Sequence, residues 1–312
     1  MKEQKIKTAL IGLGNIGMKC DYYNKNIVSH AKAISHNNDL QFTCAIDRNI
    51  KNVNKFKKKY KIPASTKTNN ILEQHKPNFI IIAVKKEESY KIINILKNYD
   101  FVKYILLEKP GAKNNIELKK IIKICIKKKI KLFINYNRTF QQKYLDIFLE
   151  YKKAKKFKSV YLYNRGLYNN CSHYLNLLSQ FLNMPKKIEI LSNNPNWNND
   201  IQPDVKLKYK NGEVLLINMG VKNLFHNQFF MTSNTKKILS DNYFANVKIY
   251  NKKNNNYIFD KDIDVQHNFT QAHSLSYILK IIRSKKNIKN LLSKYIETGK
   301  ILDKIKQLYN KK

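Results

Sequence analysis

Cysteine, proline, glycine and tryptophan are all scarce in this chain of 312 residues, which holds 4, 6, 8 and 1 of them. The cysteines (Cys20, Cys44, Cys125 and Cys171) are scattered. None stands in a CxxC pair or at a Cys/His metal spacing, which argues against a disulfide framework and a zinc site and fits a reducing cytoplasm. The remaining histidines away from the motifs below (His36, His75, His226, His267 and His273) show no metal spacing either, so no metal is expected. No apolar run reaches the length of a membrane span; the strongest, Phe79 to Val84, is strand-sized. The opening MKEQKIKTALIGLG has a basic start and an apolar stretch, but it turns Gly-rich at once and has no small-residue cleavage site. It is not read as a signal peptide.

Acidic residues are scarce too, 22 against 60 Lys and Arg, for a net charge of +38. Such a charge invites a nucleic-acid reading. The excess, however, is nearly all Lys, spread along the chain, with Arg only at 48, 138, 165 and 283. A dedicated binder of phosphates and bases would cluster Arg for bidentate contacts. Richness in Lys, Asn, Ile and Tyr beside poverty in Gly, Pro and Trp is instead the joint mark of an AT-rich genome. Neither nucleic acid nor membrane is an expected partner; salt-sensitive solubility and attraction of anionic substrates are.

With 43% hydrophobic residues the chain can bury two ordinary cores. Its first part alternates strand-like and helix-like segments: strand Lys7 to Ile11, helix Ile16 to His36, strand Gln41 to Ile46, helix Ile50 to Tyr60 and strand Phe79 to Val84. Helix Glu87 to Asn98, strand Tyr104 to Leu107, helix Ile116 to Lys128 and strand Ile130 to Tyr136 continue the alternation. That rhythm predicts an α/β Rossmann domain with a doubly wound parallel sheet over residues 1–137. Residues 138–312 read as an α+β domain with a large, mostly antiparallel open sheet, because short strand candidates follow one another across turn-rich tracts such as SNNPNWNND, KNG and NKKNNN. Helices are expected at Gln141 to Tyr151, His173 to Leu182, Thr270 to Arg283 and Asn287 to Leu308, the last two free to pack back on the first domain.

The segment GLGNIG stands between a strand and a helix. Gly12 permits the tight turn, Gly14 lets a pyrophosphate approach the backbone, and Gly17 lets helix pack on strand. Asn15 and Ile16 complete the loop, and the diphosphate is expected at the helix N-terminus. The second strand ends at Asp47, whose carboxylate would accept from the adenosine ribose hydroxyls, unless it merely caps the next helix. Asp47 lies 30 residues beyond Gly17, so the first helix or its exit loop must be long. Arg48 follows and could stack on adenine or pair with a 2′-phosphate, so NAD is preferred and NADP stays open. Further along, Pro110 restricts Lys109 to an extended conformation at the end of a strand, where ligands bind in open α/β sheets. A Lys beside a nicotinamide can donate or accept the alcohol proton.

GLGNIG, Asp47, Glu108-Lys109-Pro110, NYNR at 135–138 and His173 together resemble the Gfo/Idh/MocA family, the glucose-fructose oxidoreductase and inositol dehydrogenase group, in order over nearly the whole chain. The resemblance implies hydride transfer to or from a sugar or polyol, an active site between two domains, and homo-oligomer contacts through the open sheet. It makes Lys109 the acid/base and gives His173 the reacting hydroxyl. Glu108 and Pro110, with Ala83 and Val84, would shape the cofactor side. Asn135, Tyr136 and Arg138 would line the cleft, Arg138 and Arg165 meeting anionic groups. His30, in SHAKAI, would pack near the cofactor loop. Two departures stand out. The family commonly has an Asp four residues before the histidine where this chain has Asn169, and NNCSH looks closer to members of surface-polysaccharide biosynthesis, with Asn170 as a substrate hydrogen-bonder. Val84-Lys85 and Ser89 replace the usual Thr-Pro and His of the loop near the nicotinamide. The expected function is therefore a cytoplasmic NAD(P)-dependent sugar oxidoreductase acting on a substrate that is anionic or nucleotide-linked. The alternative is a catalytically impaired dinucleotide-binding sensor or scaffold.

Overall fold

A computed structural model describes residues 4–220, 227–241, 244–265, 269–284 and 286–311. His226 and His267 lie outside the described residues. The chain divides into two compact units, residues 1–140 with 268–292, and residues 141–267 with 293–312.

In the first unit β1 (Ile6–Ile11), β2 (Leu40–Ile46), β3 (Ala64–Ser65), β4 (Phe79–Ile82), β5 (Tyr104–Leu107) and β6 (Lys131–Ile134) form one sheet. Their order is β3-β2-β1-β4-β5-β6 and every pairing is parallel. This is the expected doubly wound sheet. Strands covered on both faces must be apolar throughout, and all four residues of β4 are fully buried. The connecting helices are α1 (His30–Ser35), α2 (Ile50–Tyr60), α3 (Thr68–His75), α4 (Ser89–Leu96) and α5 (Asn115–Lys127). The closing helix α8 (Thr270–Arg283) adds Leu275, Ile278, Leu279 and Ile282 to the same core, and its Tyr277 stacks on Phe140 at 5.4 Å. The two-residue β3 and the polar α3 (TNNILEQH) are elements that periodicity does not reveal.

The first helix differs from expectation. Instead of one helix from Ile16 to His36, a single π-helical turn (Asn15–Lys19) is followed by a loop and then by the six-residue α1. Asp21 causes the break. Its side chain is buried, and Oδ2 accepts from the backbone N–H of Val28 (2.8 Å) and Ser29 (2.7 Å). Ser29 in turn caps α1 by accepting from the Lys32 N–H. These side-chain-to-backbone bonds satisfy donors that a continuous helix would have used otherwise. They also account for the 30-residue interval between Gly17 and Asp47.

The second unit holds β7 (Phe157–Tyr163), β8 (Lys187–Ser192), β9 (Asp204–Lys208), β10 (Gly212–Asn218), β11 (Gln228–Ser233), β12 (Lys236–Asp241), β13 (Asn246–Lys253) and β14 (Asn256–Asp264). They lie in the order β14-β13-β12-β11-β7-β10-β9-β8, and all pairings but β7 with β10 are antiparallel. β12 and β14 are two strands more than the sequence reading anticipated. Alternate residues of β7 (Phe157, Ser159, Tyr161, Tyr163) face a core shared with α6 (Gln142–Lys153), α7 (Ser172–Phe181) and residues 293–309 of α9 (Lys289–Tyr309). The tyrosine surplus is spent here. Tyr161 stacks on Tyr174 at 4.2 Å, while the Tyr151 hydroxyl lies 2.7 Å from Ser159 Oγ and 2.8 Å from the Tyr174 hydroxyl. Tyr151 and Tyr174 thus bury their faces and still satisfy their polar ends.

Replacing Asp21 with Ala leaves the half-buried Val28 and buried Ser29 amides without their acceptor. It should destabilise the first unit by about 1–3 kcal/mol, read as a lower urea midpoint for that unit.

Candidate functional site

Around the carboxyl ends of β1, β2 and β4, where the strand order reverses, lies a cleft of about 630 Å³. Open α/β sheets bind ligands at such a switch point. Gly12, Gly14, Asp47, Arg48, Ala83, Val84 and Lys85 line it, together with Asn49, Thr66 and Lys91, which the sequence reading did not single out. Thr66 and Lys91 carry no motif, and they reach the cleft only because β3 ends and α4 begins beside it.

The geometry explains the glycines. Gly12 has a φ of +98°, and a Cβ there would overlap the Ala83 carbonyl. Gly17 faces the Gly12 carbonyl just as closely. Gly14 is different: nothing lies within 4 Å of where its Cβ would be, so its bareness keeps space open in the cleft rather than relieving a protein contact. Asp47 ties the loop to β2. Its Oδ2 accepts from the Leu13 N–H at 2.6 Å and its Oδ1 from the Asn49 N–H at 2.8 Å. The cap of α2 is Asn49, whose side chain accepts from the Lys51 N–H, so capping is not the role of Asp47. Since only one π turn follows Gly14, a long helix dipole is absent from this loop, and local backbone N–H groups must do that work.

Lys109 sits in the turn after β5, its peptide bond to Pro110 being cis. Glu108 beside it is nearly enclosed, its side chain 12% exposed. Its Oε1 accepts from His30 Nε2 at 2.7 Å and from Asn135 Nδ2 at 2.6 Å, and Asn135 Nδ2 also donates to Gln271 Oε1 at 2.9 Å. Burial pushes the Glu108 carboxyl up. The His30 hydrogen bond and charge interaction, the Asn135 bond and the Lys109 charge outweigh it and hold the group below the ordinary carboxylate range. Asn135 is thus committed to Glu108 rather than displayed on a cleft wall. Tyr136 and Arg138 are buried as well, Arg138 within the 3-10 turn Asn137–Phe140. Gln271 had no local signal, standing 136 positions from the residue it meets.

The remaining expected residues belong to the second unit. His173 is the second residue of α7, preceded by a π-helical turn, Leu167–Cys171. Arg165 lies over the Trp197 ring at 5.5 Å. Asn169 is exposed, whereas Asn170 is buried and exchanges amide hydrogen bonds with Asn227 (3.0 and 2.8 Å), so its side chain is occupied within the unit. Where Asn169 lacks a carboxylate, Asp200 brings one: Oδ1 accepts from the Tyr168 N–H at 3.1 Å and Oδ2 from the Asn169 N–H at 2.7 Å.

A glycine turn packed on a neighbouring strand, an acidic residue closing the second strand and a cleft at the switch point define a dinucleotide-binding α/β domain. Residues 6–136 match the model of the Gfo/Idh/MocA oxidoreductase family, NAD-binding Rossmann fold. No curated protein matches in sequence. Among solved structures the chain is similar to a dehydrogenase from Clostridium difficile (18% identity, TM-score 0.74, covering 97% of this chain and 99% of that one). It is also similar to the WlbA dehydrogenase from Bordetella pertussis in complex with NADH and UDP-GlcNAcA (12%, TM-score 0.76, covering 100% and 97%). A third is a 3-ketoreductase from Actinomadura kijaniata in complex with TDP-benzene and NADP (10%, TM-score 0.77, covering 97% and 98%). At these identities the likeness establishes a shared fold.

Gly12→Ala should lower stability and dinucleotide affinity together, because the added methyl meets backbone. Gly14→Ala should leave the urea midpoint unchanged yet weaken NADH binding at least about tenfold, close to 1.4 kcal/mol, in a fluorescence titration.

Proposed function

We propose that the protein transfers hydride between a nicotinamide dinucleotide and the hydroxyl or keto carbon of a sugar, nucleotide-linked or otherwise anionic, in surface glycan biosynthesis. The observation that carries this reading is the Lys109 turn, placed at the carboxyl end of β5 in the same sheet as the dinucleotide cleft and braced by Glu108. The residues present fit the cofactor. Open space at Gly14 admits a diphosphate, and each Asp47 oxygen keeps a lone pair for a ribose hydroxyl after accepting one N–H. NAD suits that carboxylate, while Arg48 and Lys85 on the cleft lining are compatible with a 2′-phosphate. When bound, the nicotinamide supplies the hydride acceptor or donor.

Lys109 then holds or releases the proton of the reacting hydroxyl, as general base in oxidation and general acid in reduction. His173 is assigned to the hydroxyl's recognition, and Arg165 to an anionic substituent. Support for a nucleotide-linked substrate comes from the lysine-rich surface and from the ligands of the two nucleotide-bound structures named above. The outer face of the second unit's sheet, where Val160, Leu162, Leu239 and the 38%-exposed Phe230 lie, supports a homo-oligomer. A second reading, a dinucleotide sensor without turnover, is favoured by Asn169 and by Val84-Lys85 and Ser89 in the altered loop.

Assayed with NAD and NADP across a panel of UDP- and TDP-sugars, the wild-type protein should turn over at least one of them. Lys109→Ala should lower kcat by about 10²- to 10⁴-fold while the NADH dissociation constant stays within about twofold. Dinucleotide binding without turnover across the panel would select the sensor.

A further inference from the structure

We infer that His30 and Gln271 are positioning residues: through Glu108 and Asn135 they hold the Lys109 turn in place. The inference rests on the reading of Lys109 as the proton-handling group. One chain of hydrogen bonds joins four separate segments, the first residue of α1, the turn after β5, the residue after β6 and the first turn of α8: His30 and Asn135 reach the Glu108 carboxylate, and Gln271 reaches Asn135. Chemistry fixes the direction of each bond. A carboxylate only accepts, so Asn135 must turn its amide nitrogen to Glu108, and its second hydrogen then requires the Gln271 oxygen. His30 is fully buried, and its Nδ1 has no hydrogen-bond partner among the described residues. Nε2 faces a carboxylate, which only accepts, so it carries a proton and donates to Glu108 Oε1.

Backbone bonds locate the turn, Glu108 N–H donating to Ile82 O (2.9 Å) and Gly111 N–H to Glu108 O (3.0 Å). They leave the Glu108 side chain to be fixed by its donors. A buried ionic network often adds no net stability over apolar side chains of equal volume. Its presence at the residue before Lys109 is accounted for if the fixed carboxylate orients that turn. Among the described residues, the titratable groups facing Glu108 are His30 from α1, Cys20 from the segment after Gly17 and Lys109 on its own turn; burial pushes the Cys20 thiol up to about 11. The network partners Asn135 and Gln271 are neutral.

The test compares His30→Gln, whose amide can stand in for the Nε2 donor, with His30→Leu, which removes it. Hydrogen–deuterium exchange of the peptide spanning 108–111 in the full chain needs no substrate. It should accelerate about tenfold or more in His30→Leu and stay within about twofold of wild type in His30→Gln. Gln271→Leu, which removes only the outer acceptor, should give a smaller acceleration of the same peptide. With a sugar nucleotide that turns over, His30→Leu should lower kcat by about 10- to 100-fold, as small misplacements of reacting groups do. Losing a donor raises the Glu108 carboxyl pKa, so the acid limb of the kcat profile should move to higher pH in His30→Leu and not in His30→Gln. Unchanged exchange at 108–111 in both His30→Leu and Gln271→Leu overturns the assignment, as does equal acceleration in His30→Gln and His30→Leu. Retained turnover in Lys109→Ala faults the reading of Lys109 instead, so the two failures are distinguishable.

Discussion

A carboxylate taken out of water must be given donors or it will not stay ionised. Much of the first unit is arranged around meeting that demand for Glu108. Its donors come from His30 and Asn135, and Asn135 is held in turn by Gln271. These residues lie far apart in the chain, so the bonds exist only when α1, the β5 and β6 ends and α8 are all assembled. The Lys109 turn inherits its placement from that assembly. The proposed chemistry therefore depends on a helix contributed by the last quarter of the chain as much as on the motif that contains the lysine.

At the same carboxyl edge of the sheet, after β1, the constraint is space. Gly12 and Gly17 are small because backbone presses on them, Gly12 on the Ala83 carbonyl and Gly17 on that of Gly12. Gly14 has room around it. The same residue type thus serves packing at two positions and leaves room for a ligand at the third. The broken first helix limits the electrostatics of this loop: one π turn ends before a macrodipole accumulates. Asp47, by holding Leu13, takes part in keeping the loop in register with β2.

The second unit compensates for what its sequence omits. No carboxylate stands at position 169, yet Asp200 from a distant turn accepts the backbone N–H groups of Tyr168 and Asn169 at the entrance to the helix bearing His173. The large aromatic core beneath, with its three-way hydroxyl contact among Tyr151, Ser159 and Tyr174, makes a rigid support for that helix. Buried phenols of this kind stay neutral; burial pushes the Tyr151 hydroxyl up to about 12.

Legibility followed the range of the interactions concerned. Periodicity and turn chemistry act over a few residues, so α2, β5 and α8 are predicted at the bounds the structure gives, and GLGNIG, Asp47 and the EKP turn point to a dinucleotide domain without any coordinates. Elements with weak local signal escaped: the two-residue β3, the polar α3, and β12 and β14, whose strand character comes from their neighbours in the sheet. The single long helix inferred after Gly17 failed because a buried Asp21 outcompetes helical hydrogen bonding there, and burial is a property of the fold. For the same reason His30, Asn135, Asn170, Asp200 and Gln271 received their roles only from tertiary structure. A polar side chain's partner is whichever group the folded chain carries to within hydrogen-bond reach, and neither pattern nor spacing encodes that distance.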